Sequence, residues 1–158
     1  MIADGVPAFG WHGDAYWRDI GSPTAYLEAQ MDLLDGRVRT PLVPPGERTH
    51  GNWIAARASV DRTATILAPS VIGAGVTIAR GSHVGPLAVL GEDVRVEADA
   101  RIERSVIWER TEIGAGAHLE GSVVGAAGRI GAGARLGAGT VLESGAVVAP
   151  HARLPART

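Results

Sequence analysis

The chain contains no cysteine and no lysine. The first absence excludes disulfides, thiolate zinc sites and cysteine nucleophiles. The second excludes lysine Schiff bases and the lysine of a phosphate-binding loop. Aromatic residues make up only 4% of the 158 positions, beside 46% hydrophobic residues overall and 22 glycines. Globular cores usually draw much of their packed area from Phe, Tyr and Trp. Here that area must come from Val, Ile, Leu and Ala, which implies a narrow, uniform core with tight corners. No apolar run approaches the length of a membrane span. Residues 1–20 carry Asp4, Asp14 and Asp19 and lack a cationic start before an apolar stretch, so they do not read as a signal peptide. The formal net charge of −2 provides no overall basic field for nucleic acid. The expectation is a cytoplasmic protein of one domain, or a small segment joined to a repeat array.

A repeat is what the sequence does contain. From Ile54 an aliphatic residue returns every six positions: Val60, Ile66, Ile72, Ile78, Val84, Leu90, Val96 and Ile102. The step shortens to five at Ile107 and again at Val124, and runs in sixes elsewhere through Leu154. Residues 101–117 (RIERSVIWERTEIGAGA) echo residues 118–134 (HLEGSVVGAAGRIGAGA) across these short steps. A period of six suits neither an α-helix nor a hairpin meander. It suits strands of two or three residues separated by corners. Strand alternation turns the aliphatic and the small residue two places before it inward, and the residue between them outward. Glycine often follows the aliphatic, as at Gly73, Gly85, Gly91, Gly114, Gly131 and Gly137. The expected reason is a corner with unusual backbone angles. Three strands and three corners make a coil of 18 residues, or 17 where one is dropped, and residues 54–154 make five to six coils. Each coil pairs only with its neighbours. The pattern resembles the hexapeptide-repeat family over residues 53–154. That resemblance implies a mainly β fold, a left-handed parallel β-helix.

The register defines three outward faces. The first shows Trp53, then Val71, Val89, Val106, Val123 and Val141. A column of valines either packs on another subunit or domain or reflects the strand preference of valine. The expectation adopted here is an interface. The second face is mixed, with Thr77, Arg95, Glu112, Arg129 and Val147. The third carries Thr65, His83, Arg101, His118, Arg135 and Arg153, a basic line with about 4.8 Å between rungs. His83, Arg101, His118 and Arg135 are candidate anion-facing residues. The simpler reading is a solvated face balanced by Glu103, Glu109 and Glu120.

Ahead of the repeat, residues 22–35 predict a short helix. Ser22 is its cap, Pro23 its first residue and Gly36 its stop, with Leu27, Met31 and Leu34 on one side. Residues 37–52 include Pro41, Pro44, Pro45 and Gly46 and read as a linker. The run Asp14-Ala15-Tyr16-Trp17-Arg18-Asp19-Ile20-Gly21-Ser22-Pro23, followed by Tyr26-Leu27, resembles the closing segment of sugar-1-phosphate nucleotidyltransferase domains. The family pattern is roughly Gly-Tyr-Trp-x-Asp-x-Gly-Thr-Pro. Ala15 stands where glycine is common, and Ser22 replaces threonine. That segment followed by a hexapeptide array is similar to mannose-1-phosphate guanylyltransferases and related NDP-sugar pyrophosphorylases. The resemblance implies that Asp19 helps hold Mg²⁺ in a complete enzyme. It also implies a preceding catalytic domain with a glycine-rich loop, catalytic Arg and Lys and a further metal-binding Asp. Only 13 residues precede the segment, so the isolated chain is expected neither to catalyse nucleotidyl transfer nor to need a cofactor. In that chain Asp19 orders the turn ahead of the helix.

The expected organisation is residues 1–36 as the tail of a nucleotidyltransferase-like domain, 37–52 as linker, 53–154 as β-helix and 155–158 as a tail. The expected role is assembly or regulation, through the valine face, as a homo-oligomer or against a catalytic nucleotidyltransferase domain or subunit. No nucleic-acid or membrane partner is expected. Two alternatives are a stand-alone, non-catalytic oligomerisation subunit and a hexapeptide acyltransferase. For acyl transfer His83 and His118 are the available bases, but no insertion interrupts the array beside them. The same two histidines lie two coils apart, roughly 9.6 Å by rung spacing, too far to share a zinc ion within one chain.

Overall fold

The structure is a computed structural model, described here for residues 9–10, 13–44 and 46–156. Parts of the expected N-terminal segment, Pro45 of the expected linker and the last two residues of the expected tail lie outside the described residues. One helix, α1 (Pro23–Leu34), precedes a stack of short strands that forms three sheets. The first face stacks β1 (Glu47–Thr49), β2 (Asn52–Ile54) and then Ser70–Ile72, Ala88–Leu90, Val106–Ile107, Val123–Val124 and Val141–Leu142. The second stacks six strands from Ser59–Val60 to Val147–Val148, and the third six from Thr65–Ile66 to Arg153–Leu154. Pairing from β2 onward is parallel. Val106 lies beside Val89 and Val123, Glu112 beside Arg95 and Arg129, and Arg101 beside His83 and His118. The 18- and 17-residue steps therefore close the same three ladders, and each face shows the residues that the period assigns to it.

The core is a single column of aliphatic side chains. Ile72, Val84, Ile102, Ile107, Ile113, Leu119 and Val124 have no exposed surface. Buried among them are Ser70, Ser82, Ser105, Thr111, Ser122 and Thr140. Each hydroxyl donates to a corner carbonyl: Ser105 to Glu103 at 2.7 Å, Ser122 to Glu120 at 2.9 Å and Thr111 to Gly125 at 3.0 Å. Several also accept from the next coil, as Ser105 Oγ does from the Ser122 N–H at 3.1 Å. Serine and threonine occupy inward positions because a tight corner strands carbonyls that a small hydroxyl can satisfy.

Two features differ from the sequence reading. Most glycines that follow the inward aliphatic are not there for backbone angle. A Cβ on Gly73 would lie 2.7 Å from the Gly91 carbonyl carbon, and one on Gly131 2.4 Å from the Pro150 nitrogen. Corner stacks on corner, and only a hydrogen fits between. Positive φ falls elsewhere in the corners, at Gly75, Asp93 and Arg110 on one edge and at Gly81, Asp99 and Gly133 on another. Gly85 alone of the six expected positions has it, at φ 95°. The second difference is in the expected linker, which ends in a strand. β1 pairs antiparallel with β2 across His50-Gly51, both at positive φ, as a two-residue hairpin turn requires. Arg48 lies over the Trp53 ring, 5.9 Å from its centroid. β1 thus covers the first edge of the first face.

Ile102→Ala removes a fully buried side chain from the middle of the column, and urea denaturation should show a loss of about 2–5 kcal/mol. Ser105→Ala strands the Ser122 N–H and leaves the Glu103 carbonyl with only the Gly121 N–H, and should cost about 1–3 kcal/mol. A loss below about 0.5 kcal/mol for the serine would mean that water replaces its two bonds.

Candidate functional site

Helix α1 is built from local signals. Ser22 is extended and its Oγ accepts from the Ala25 N–H at 3.2 Å. Gly36, at φ 75°, closes the other end, with Gly36 N–H donating to Leu33 O at 3.1 Å and Arg37 N–H to Asp32 O at 2.9 Å. That pair of bonds is a Schellman cap. Twelve residues are too few to be stably helical alone in water, so α1 depends on what it packs against.

It packs on the valine column. Leu27 and Met31, one turn apart, are buried against Val106 and Val123, with Tyr26, Leu87 and Val89 around them. The Arg104 guanidinium lies 3.3 Å from the Met31 sulfur. Val106 and Val123 fall to 3% and 7% exposure, Val71 is half-buried, and Val141 remains 44% exposed. The middle of the column is therefore occupied by the same chain. Both five-residue steps fall at the corners beside this seat, at Arg104 and Gly121, which flank the helix together with Leu27 and Met31. The trimmed corners form a shelf for α1.

A polar node ties the preceding strap to the helix. Asp32 is buried although it carries a charge. Its carboxylate accepts from the Tyr16 hydroxyl at 2.8 Å, from Arg18 at 2.8 Å and from Arg37 at 3.0 Å. Arg18 also donates to Glu28 and, through Nε, to the Tyr16 oxygen at 3.0 Å. The Tyr16 hydroxyl, then the two arginines, hold Asp32 below the usual carboxylate range against the opposing effect of burial. Tyr16 and Asp32 in turn raise the Arg18 guanidinium. Sequence reading missed this node. The available signal was an acid among the apolar positions of α1, with arginines on both flanks.

Asp19 follows directly on the node. Its Oδ1 accepts from the Gly21 N–H at 2.9 Å and so shapes the turn into α1. That leaves one hard oxygen with the chemistry Mg²⁺ prefers. Among the described residues there is no group of three or more His, Cys, Asp or Glu placed to hold a metal ion. The rest of a metal shell would have to come from outside this segment.

An apolar groove of about 480 Å³ runs between the start of α1 and the array, lined by Ile20, Pro23, Tyr26, Trp108, Val141 and Leu142. Ile20 is 59% exposed and Trp108 42%. On the third face His83, Arg101, His118 and Arg135 stand on consecutive rungs, as the period requires. His83 and His118 are separated by the Arg101 rung and do not meet.

Residues 49–154 match the family model of the EIF2B subunit epsilon LbH domain. The chain belongs to this family. The coil of the LbH domain is accordingly left-handed. The chain is similar in sequence to curated transferases. It is 35% identical over 105 residues to the mannose-1-phosphate guanylyltransferase of Mycobacterium tuberculosis, covering 66% of this chain and 28% of that protein. It is 30% identical over 122 residues to the glucose-1-phosphate adenylyltransferase of Frankia casuarinae, covering 69% and 27%. The chain thus spans little more than a quarter of the length of these relatives, and what it matches is their C-terminal parts. Among solved structures, the acetyltransferase domain of PglB from Neisseria gonorrhoeae superposes with a TM-score of 0.59 at 26% identity, over 61% of this chain and 48% of that one. Among the described residues no helix is long and apolar enough to cross a membrane.

Because Asp32 is lowered in the folded state, its contribution to strap docking is complete above the ordinary carboxylate pKa of about 3.9. It is lost as pH falls through the lower folded value. Protection factors of the α1 amides, taken relative to intrinsic exchange at each pH, should fall below about pH 4 in the wild type, while core strands such as Ile102 stay protected. Asp32→Asn should exchange fast at neutral pH already and show no acid step.

Proposed function

We propose that this chain is the C-terminal assembly and regulatory portion of a sugar-1-phosphate nucleotidyltransferase, of the type that converts mannose 1-phosphate and GTP to GDP-mannose and pyrophosphate. The observation that carries this reading is the Asp32 node. It clamps Tyr16, Arg18 and, through them, the Asp19 turn to a helix seated on the valine column. A segment like the end of a catalytic domain is thereby joined rigidly to the β-helix. A domain preceding it would be held in one orientation, and such chemistry depends on positioning and charge neutralisation. The 35% identity to the mannose-1-phosphate guanylyltransferase supports the same reading.

In the complete assembly Asp19 would supply one oxygen to Mg²⁺, which would neutralise phosphate charge there. The isolated chain binds no cofactor and does not catalyse the reaction, because one carboxylate is not a phosphate cradle. The partner surface is the open end of the valine column, where Val141 and Trp108 continue the α1 interface and Ile20 projects beside it. Its occupant is the nucleotidyltransferase domain, or a subunit carrying one. GTP as substrate accords with a cytoplasmic location.

The tagged chain, recovered from its source cells, should carry GDP-mannose-forming activity that the pure 158-residue protein lacks. Trp108→Glu with Val141→Glu should remove that activity while leaving thermal unfolding of the array unchanged. Formation of GDP-mannose by the pure chain overturns the non-catalytic role. Self-association with no recovered nucleotidyltransferase would instead support a stand-alone oligomerisation subunit.

The fold match to an acetyltransferase domain favours acyl transfer as a second reading. His83 and His118 are its candidate bases. Calorimetry with millimolar acetyl-CoA should show no binding, and saturable binding abolished by His118→Ala would establish the second reading in place of the first.

A further inference from the structure

We infer that the C-terminal end of the third face is a binding site for a small diphosphate-type anion. The cations of this face are not equivalent along the array. Strands Arg101–Glu103 and His118–Glu120 are three residues long, and Glu103 pairs with Glu120 in the outward position two residues beyond the base. The Arg101 and His118 rungs therefore each carry an acid beside the base. On the next two rungs that position falls to Gly137 and Pro155. The acids stop while the arginines continue.

Arg135 pairs in register with His118 on one side and with Arg153 on the other. Three outward bases thus stand on successive rungs, about 4.8 Å apart. Leu119, Leu136 and Leu154 point into the core beside them and fix their outward direction. Arg135 and Arg153 are exposed. Among the described residues neither makes an ion pair or a side-chain hydrogen bond, whereas Arg18, Arg37, Arg110 and Arg129 each face a carboxylate. Between them runs a groove of about 370 Å³, bounded by His118, Glu120, Gly137 and Pro155.

The chemistry of the ligand follows from the donors. A guanidinium presents a planar fork that matches two oxygens of one phosphoryl group. Two such forks on adjacent rungs suit two linked phosphoryl groups, one for each arginine, with the His118 imidazole at the inner end. Glu120 limits the site to this end, because an anion moved one rung inward meets its carboxylate. A long polyanion is excluded on the same ground: beyond Arg135 the face alternates in sign, and the whole chain is net negative. The site lies on a different face from α1 and the apolar groove, so it stands or falls independently of the nucleotidyltransferase reading.

The test is isothermal titration of the full chain with inorganic pyrophosphate at constant ionic strength, with circular dichroism melting of each variant as a folding control. The expected result is saturable binding of one pyrophosphate per chain. Arg135→Gln and Arg153→Gln should each weaken it by about tenfold or more, and Arg129→Gln on the second face by less than about twofold. Glu120→Gln should tighten it severalfold, a gain that a damaged fold cannot produce. Absence of saturable binding up to about 10 mM, corresponding to affinity weaker than the millimolar range, overturns the site. Equal weakening by Arg129→Gln shows a diffuse field and also overturns it. Orthophosphate binding as tightly as pyrophosphate overturns the two-phosphoryl assignment.

Discussion

Closure governs this molecule. Every 17 or 18 residues the chain must return to the same place on a triangle, so that three parallel ladders accept their next rung together. Backbone N–H and C=O groups on all three faces depend on it, as in Val106 N–H to Ser122 O at 2.9 Å, Glu112 N–H to Gly128 O at 2.9 Å and His118 N–H to Ala134 O at 2.8 Å. The aliphatic column is dry only while the ladders stay in register. The glycines that let corner stack on corner, and the hydroxyls that satisfy corner carbonyls, serve the same requirement. A slip on one face would misplace the other two, and register is correspondingly well determined.

This constraint explains why so much of the array was legible in the sequence. A strict period leaves one register, and from it the outward residues of all three faces could be named. Even the two short steps could be placed, because they keep Val89, Val106 and Val123 in one column. The helix was equally legible at its ends, where Ser22, Pro23 and Gly36 act within a few residues of themselves.

What stayed hidden is what depends on residues far apart in the chain. Nothing in the spacing of Leu27 and Met31 says that they meet Val106 and Val123, about eighty residues later, and the column was read as a seat for another subunit or domain. Asp32 was passed over because a carboxylate on a short helix normally faces water. Its burial is understood only once Tyr16, Arg18 and Arg37 are seen to converge on it. The glycines were placed correctly but explained by backbone angle, when at Gly73 and Gly131 the cause is the neighbouring coil one repeat further on. The hairpin of β1 and β2 was missed because His50-Gly51 is a weaker turn signal than Asn-Gly, and the prolines before it suggested a linker.

The seat of α1 also has a mechanical consequence. A stack in which each coil touches only its neighbours opens from its ends, one coil at a time. The terminal coils bury less, with Ile54, Val60, Leu142 and Leu154 only partly covered beside a sealed centre. The helix lies across the rungs of Val89, Val106 and Val123 like a splint and couples three coils that would otherwise part singly. Tension applied through the strap therefore reaches the middle of the array, where burial is complete, and bypasses the less buried ends.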